Sequence, residues 1–297
     1  MVFSHSDSSR DSTSLVYLLS AMLMLSTVSP VTKDVLKEGT IPPFELVCLR
    51  LLIAFLFLFL IALTGPRQEL FGLTWKDVFR LTLLGLLGVG VAYGCAAWAL
   101  LYTSVTHYAL IYSLNPSLTA LFSFLMRKER LSLAKVSGIL LSLAGCLLSI
   151  PEGFQDRGVG FGDALVFVFT VSASASIVLS SGIVRRYGAP IATTVMFGSS
   201  TFILLFGGLV WSVPYNLHLT VKDGFWILYI GLATAGVFVL RHLSLRALSP
   251  VTVGAFHNLV PIFGVVLAYL FLDEPVTAQM VLGGATILTG VELVRRG

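Results

Sequence analysis

Residues 99–146 recur without a gap 145 positions further on, as residues 244–291. Leu100, Ser104, Leu114, Pro116, Leu125, Glu129, Val136, Gly138 and Gly145 meet Leu245, Ser249, Leu259, Pro261, Leu270, Glu274, Val281, Gly283 and Gly290. In an apolar chain the leucine and valine matches carry little weight, but proline, glutamate, glycine and glycine in the same order at the same spacing carry much more. Each copy reads as a helix interrupted by proline, a tight polar turn holding a glutamate, and a helix bearing glycines. Such a chain is built from two like halves, and any fold assigned to it has to place both.

The halves are apolar throughout. The chain is 56% hydrophobic and 11% charged, against about 25% charged in an ordinary soluble protein, and its mean hydropathy is +0.93. These values imply an integral membrane protein with almost no soluble part, and they turn the net charge of +4 away from nucleic acid. A bilayer-spanning helix takes roughly 20 apolar residues. Ten such runs are present, at 15–35, 44–63, 78–100, 105–126, 133–150, 161–184, 191–211, 224–243, 251–272 and 277–294. Between most of them stand turn-forming segments, among them Lys37-Glu38-Gly39, Gly65-Pro66-Arg67 and Asp273-Glu274-Pro275. The expected class is an all-α membrane protein of ten transmembrane helices. It would comprise a polar tail at 1–14, a first five-helix repeat at 15–150 and a second at 151–297, forming one membrane domain. The apolar run after residue 14 is read as a retained helix rather than a cleaved signal. Cys48, Cys95 and Cys146 all lie in apolar runs and suggest packing, not a disulfide framework or a metal pair.

Charge placement orients the ten helices. With the N-terminus inside, Arg10, Arg67, Lys76, Arg80, Arg127, Lys128, Arg130, Lys135, Arg185, Arg186, Arg241, Arg246, Arg295 and Arg296 are cytoplasmic. Only Lys33, Lys37, Arg157 and Lys222 are external. This is a strong positive-inside bias, and it expects both termini in the cytoplasm. Five helices per copy is an odd number, so the copies should cross in opposite directions. The cationic turn holding Glu129 would then face inward, and its cation-free counterpart holding Glu274 would face outward.

Pro116 and Pro261 should kink the fourth and ninth helices about 15 Å deep, near the bilayer centre. A mid-helix proline frees the carbonyl four residues back, here those of Tyr112 and His257, with Asn115 and Asn258 close by. Free carbonyls at that depth suit a water-lined cavity; a kink satisfied by a neighbouring hydroxyl is the alternative. His257 is either a neutral, hydrogen-bonded imidazole or a proton carrier. Tyr93 and Trp98 on the third helix and Phe238 on the eighth complete the expected cavity set, and Pro30 should kink the first helix. Arg50 is expected to snorkel outward or to pair with Glu45, and Asp163, Arg241 and His242 to sit at the membrane interface. With no central cation and no mid-membrane carboxylate expected, such a site suits a small neutral or zwitterionic solute with an apolar portion. No metal site, cofactor motif or catalytic constellation is present in the sequence, so no enzyme is expected.

Two runs carry a resemblance: Ala109-Leu110-Ile111-Tyr112-Ser113-Leu114-Asn115-Pro116, and the following Glu129-Arg130-Leu131. With the inverted five-helix halves, the chain resembles the EamA-type branch of the drug/metabolite transporter superfamily over its whole length. Tyr93 and the Tyr112–Pro116 segment look similar to cavity positions of the branch exporting aromatic and other neutral amino acids. The first helix departs from the family pattern, with Met24-Leu25-Ser26-Thr27 where a tryptophan often precedes small residues. The resemblance implies a bacterial inner-membrane exporter, a monomer working by alternating access on a small-molecule substrate, most simply an amino acid. Export of drugs or other metabolites, or a channel-like or lipid-moving role for the same bundle, are the alternatives.

Overall fold

The computed structural model describes residues 5–37, 41–64, 73–103, 108, 111–126, 131–148, 160–210, 220–272 and 277–297. Glu129 and Glu274 lie outside them. Within the described residues the chain forms ten helices. These are α1 (His5–Lys37), α2 (Pro43–Thr64), α3 (Trp75–Tyr102), α4 (Asn115–Leu125), α5 (Leu133–Leu148), α6 (Phe161–Tyr187), α7 (Ala189–Val210), α8 (Val221–Ser244), α9 (Pro250–Phe256 continuing to Val260–Leu272) and α10 (Ala278–Arg296). α1, α2, α3, α6, α7 and α8 are each long and apolar enough to cross a bilayer. Helix α1 starts within the stretch read as a polar tail and runs through Pro30.

Local chemistry fixes the helix ends. Thr74, Thr220, Ser249 and Thr277 cap α3, α8, α9 and α10, each accepting from the backbone N–H three residues on. Pro250 opens α9 at a position where its missing N–H costs nothing. Gly188, with φ 86°, provides the left-handed residue that lets α6 stop and α7 start one residue later.

Helix packing repeats the sequence duplication. Contacts of α1 with α8, α2 with α8 and α4 with α6 have counterparts in α6 with α3, α7 with α3 and α9 with α1. The remaining major contacts, α2 with α7, α4 with α9 and α5 with α10, map onto themselves. Equivalent helices start at opposite ends of the bundle. Ser244 Oγ donates to the Ser14 carbonyl (2.9 Å) at one end, and Thr103 Oγ1 donates to Asp163 Oδ1 (2.6 Å) at the other. The repeat is therefore inverted.

The duplicated glycines hold one of the closest of these contacts. A Cβ on Gly138 would stand 2.6 Å from the Gly290 carbonyl oxygen, and one on Gly290 would stand 2.6 Å from that of Gly138. A Cβ on Gly145 would meet the Gly283 carbonyl oxygen at 2.7 Å. α5 and α10 thus touch backbone to backbone, the arrangement that small residues permit between membrane helices.

Two breaks depart from simple kinks. In α9 the turn His257–Leu259 tightens to a 3-10 helix, and Val260 N–H bonds the His257 carbonyl. The carbonyl expected to be freed by Pro261 is therefore satisfied locally, an ordinary repair of a proline-interrupted membrane helix. Pro116 sits in the first turn of α4, after helical Ile111 and Tyr112 and a turn at Ser113 and Leu114, so the helical path is broken just before the proline. In α3 the segment Leu86–Val91 widens to a π-helix, a feature with no sequence signal here and one often found beside functional sites.

Candidate functional site

A small cavity lies among α1, α2, α3, α6, α8 and the residues leading into α4. Five aromatic rings stand on its wall. Phe169 stacks on Tyr112 (centroids 5.1 Å apart, 18° between planes) and on Tyr108 (5.6 Å, 30°). Tyr93 lies tilted against both Phe169 (6.4 Å) and Phe238 (6.1 Å). Gly88, in the π-helical turn of α3, lets this wall close: a Cβ there would collide with the Ser176 side chain on α6. Ser29 and Thr32 on α1 also line the cavity. The free volume is only about 30 Å³, room for a water or two, so the side chains have closed onto one another.

Two arginines complete the wall, and both correct the expectations above. Arg50 is 5% exposed and Arg241 4%; neither snorkels out nor rests at an interface. The Arg50 guanidinium lies over the Tyr93 ring, 4.1 Å from its centroid, and that of Arg241 over Phe238 at 4.0 Å. Tyr93 and Phe238 are 145 positions apart, so the two stacks are related by the repeat. The arginines themselves are not, since the repeat position of Arg241 is Ala96, also on the wall. Arg50 Nε donates to Thr234 Oγ1 on α8 at 2.7 Å. Arg241 Nε and Nη2 are buried without a hydrogen-bond partner.

Among the described residues no carboxylate lines the cavity or pairs with either arginine. A buried, unpaired charge costs several kcal/mol. A cation–π contact returns about 0.5–2 kcal/mol, and a hydrogen bond to a charged group about 1.5–3 kcal/mol. Arg50 has both compensations, and Arg241 has only the first. The cavity is a cationic site with an unfilled hydrogen-bonding fork.

Polar contacts close the bundle beyond both ends of the cavity. At one end, Tyr187 Oη (2.6 Å) and Arg186 Nη1 (3.4 Å) on α6 donate to Asp77 Oδ2 on α3. At the other, Thr103 at the end of α3 donates to Asp163 on α6, while Lys33 Nζ on α1 donates to the Thr103 carbonyl at 3.2 Å. Tyr187→Phe removes a hydrogen bond to a carboxylate that is only 3% exposed. It should lower stability by about 1.5–3 kcal/mol, read as a fall in the detergent-solubilised protein's melting temperature; an unchanged value would mean this end is not held by the pair.

Of the residues singled out in the sequence, Tyr93, Tyr112 and Phe238 stand on the wall. His257 contacts Tyr112 edge-on (5.8 Å, 76°) without lining the cavity. Its Nδ1 donates to the Val253 carbonyl (3.0 Å), and Nε2 is buried without a hydrogen-bond partner. Asn258 Nδ2 donates instead to Ser142 Oγ on α5 (2.9 Å), and Asn115 accepts from Thr119 Oγ1 (3.4 Å). Trp98 packs on Phe44 (6.4 Å), away from the cavity. Arg50, Tyr108, Phe169 and Arg241 were missed as wall residues. The available signals were Tyr108 one turn before Tyr112 and Arg241 one turn after Phe238.

The EamA-like transporter family matches residues 12–150 and again residues 160–296. Curated relatives include an uncharacterized transporter of Clostridium kluyveri, 24% identical over 281 residues, covering 93% of this chain and 90% of the relative. Another is the uncharacterized transporter YetK of Bacillus subtilis, 28% identical over 93% of this chain and 85% of that one. A crystal structure matches with a TM-score of 0.77 over 95% of this chain and 96% of the other at 18% identity, a likeness of fold alone. Two inverted five-helix units, each matched along nearly its whole length by the same family, establish that this multi-pass membrane protein belongs to the EamA-like transporter family.

Proposed function

We propose that the protein is an inner-membrane carrier that exports a small organic metabolite by alternating access, binding it in the aromatic cavity. The observation that supports this reading is how little free space the cavity holds, about 30 Å³, in a bundle whose α3 and α6 are tied by polar pairs at both of their ends. A carrier requires such an occluded state, whereas an open channel does not. By the positive-inside rule the Asp77–Tyr187 end faces the cytoplasm, as do both termini. One chain encloses the whole cavity, so a monomer suffices. Amino acids with an aromatic or other apolar side chain are the first candidates, on the resemblance of Tyr93 and the Tyr112–Pro116 segment. Their carboxylate would meet a guanidinium and their side chain the stacked rings.

Purified protein in liposomes should give saturable uptake of a labelled solute, accelerated several-fold when unlabelled solute is loaded on the far side. Flux that rises linearly with concentration and ignores the trans side would replace the carrier with a channel-like protein.

A further inference from the structure

The carrier reading leaves open what charge the cavity is built for. On its wall stand two buried guanidiniums, no carboxylate among the described residues, and a face of stacked rings. We infer that the substrate is a small organic anion with a flat apolar body and no ammonium group, held by Arg50 and Arg241 and stacked against Tyr93, Phe169 and Phe238. This inference rests on the carrier reading and, on the charge of the wall, sets an anion in place of the amino acids that the resemblance puts first.

Arg241 is the first element of the argument. Its side chain leaves α8 three residues before that helix ends. Helical side chains lean toward the N-terminus of their helix, and this one comes back along α8 to lie on Phe238. The ring thus holds the planar fork at the cavity wall, with Nε and Nη2 buried and unbonded. A carboxylate accepts two parallel hydrogen bonds from just such a fork. Arg50 adds a second positive charge, oriented by Thr234 and Tyr93.

The second element concerns an ammonium group. It would require a carboxylate, or a site free of like charge. The wall offers hydroxyls and ring faces, but both compete with two guanidiniums that repel a cation in a medium of low dielectric constant. A zwitterion therefore gains at one end and loses at the other. A monoanion only gains, and a dianion neutralises both arginines.

The test uses four aromatic probes matched in size: phenylsuccinate (dianion), 3-phenylpropionate (monoanion), phenylalanine (zwitterion) and phenethylamine (cation). Binding to the detergent-purified protein at neutral pH is read by thermal stabilisation and tryptophan fluorescence. Affinity should fall in that order, with phenylalanine at least about tenfold weaker than 3-phenylpropionate. Arg241→Gln should remove most of this preference, and Arg241→Lys should keep charge selectivity while losing affinity. The wild-type ranking stands by itself if a variant does not fold. Equal or tighter binding of phenylalanine, or no binding of either anion, overturns the inference. Trans-accelerated flux in liposomes keeps the two readings apart. If phenylalanine is exchanged and the anions are not, the carrier stands and the anion inference falls. If every probe leaks linearly, the carrier reading itself fails.

Discussion

Gly290→Leu should abolish most of the folded protein. A Cβ at this position stands 2.5 Å from the Ser142 amide nitrogen and 2.6 Å from the Gly138 carbonyl oxygen. Both are backbone atoms of α5, so no rotamer change can relieve the overlap. The helices must separate, and the pairing of Gly138 with Gly290 and of Gly145 with Gly283 goes with them. Overpacking of a well-packed core costs about 1–3 kcal/mol even where side chains can yield. Where only backbone can yield, about 3 kcal/mol or more is expected, a large share of the total stability of most domains. Gly264→Ala is the matched control. A Cβ there meets nothing within 4 Å, and the change should be worth no more than about 0.5 kcal/mol. The readouts are the monodisperse fraction in size-exclusion chromatography and the thermal midpoint in detergent. Similar behaviour of the two variants would mean that the α5–α10 contact is not what the duplicated glycines serve.

Those glycines also show what a single sequence can reveal of this fold. Ten apolar runs, an odd number per repeat and a charge bias were enough for ten helices in two inverted halves. Each of these properties is summed along the chain and does not depend on which helix neighbours which. The π-helical turn at Leu86–Val91 has no such signature, because it arises where Gly88 lets α3 approach Ser176 on α6.

The site was less legible for the same reason. Aromatic residues at repeat-related positions, Tyr93 and Phe238, could be nominated because the duplication marks them. The arginines could not. Six residues inside α2, Arg50 can reach water as easily as it can turn inward, and only the presence of Thr234 and Tyr93 on neighbouring helices decides for the interior. Arg241 stands near a helix end, a place that in sequence points to the interface. In a helix the lean of the side chain, and not the position of its Cα, sets the depth of the charge. The polar residues of α9 differ in the opposite sense. His257 and Asn258 were nominated because Pro261 should open the backbone there. The 3-10 turn closes that opening and leaves Asn258 on Ser142 of α5, outside the cavity.

Bridging the Asp163 end of the cavity should stop transport completely and reversibly. In a background with Cys48, Cys95 and Cys146 replaced by alanine, Thr103→Cys and Asp163→Cys put two thiols where the native side chains meet at 2.6 Å. Both positions lie at the ends of their helices, α3 and α6, within reach of an aqueous oxidant. A disulfide or a short bis-thiol bridge there ties the two helices that must part for the cavity to open on that side. Carrier motion of this kind is a shift between closed and open states, and a covalent tie removes one of them. Substrate could still be bound from the Asp77 end, but it could not be released. Flux in liposomes should fall to the protein-free level on oxidation and return on reduction, while either single cysteine variant is unaffected by both treatments. Binding measured in detergent should persist in the bridged protein, which separates a locked carrier from an unfolded one. Flux that continues through the bridged protein would mean that solute crosses without the α3–α6 end opening. The cavity between Arg50 and Arg241 would then not be the path.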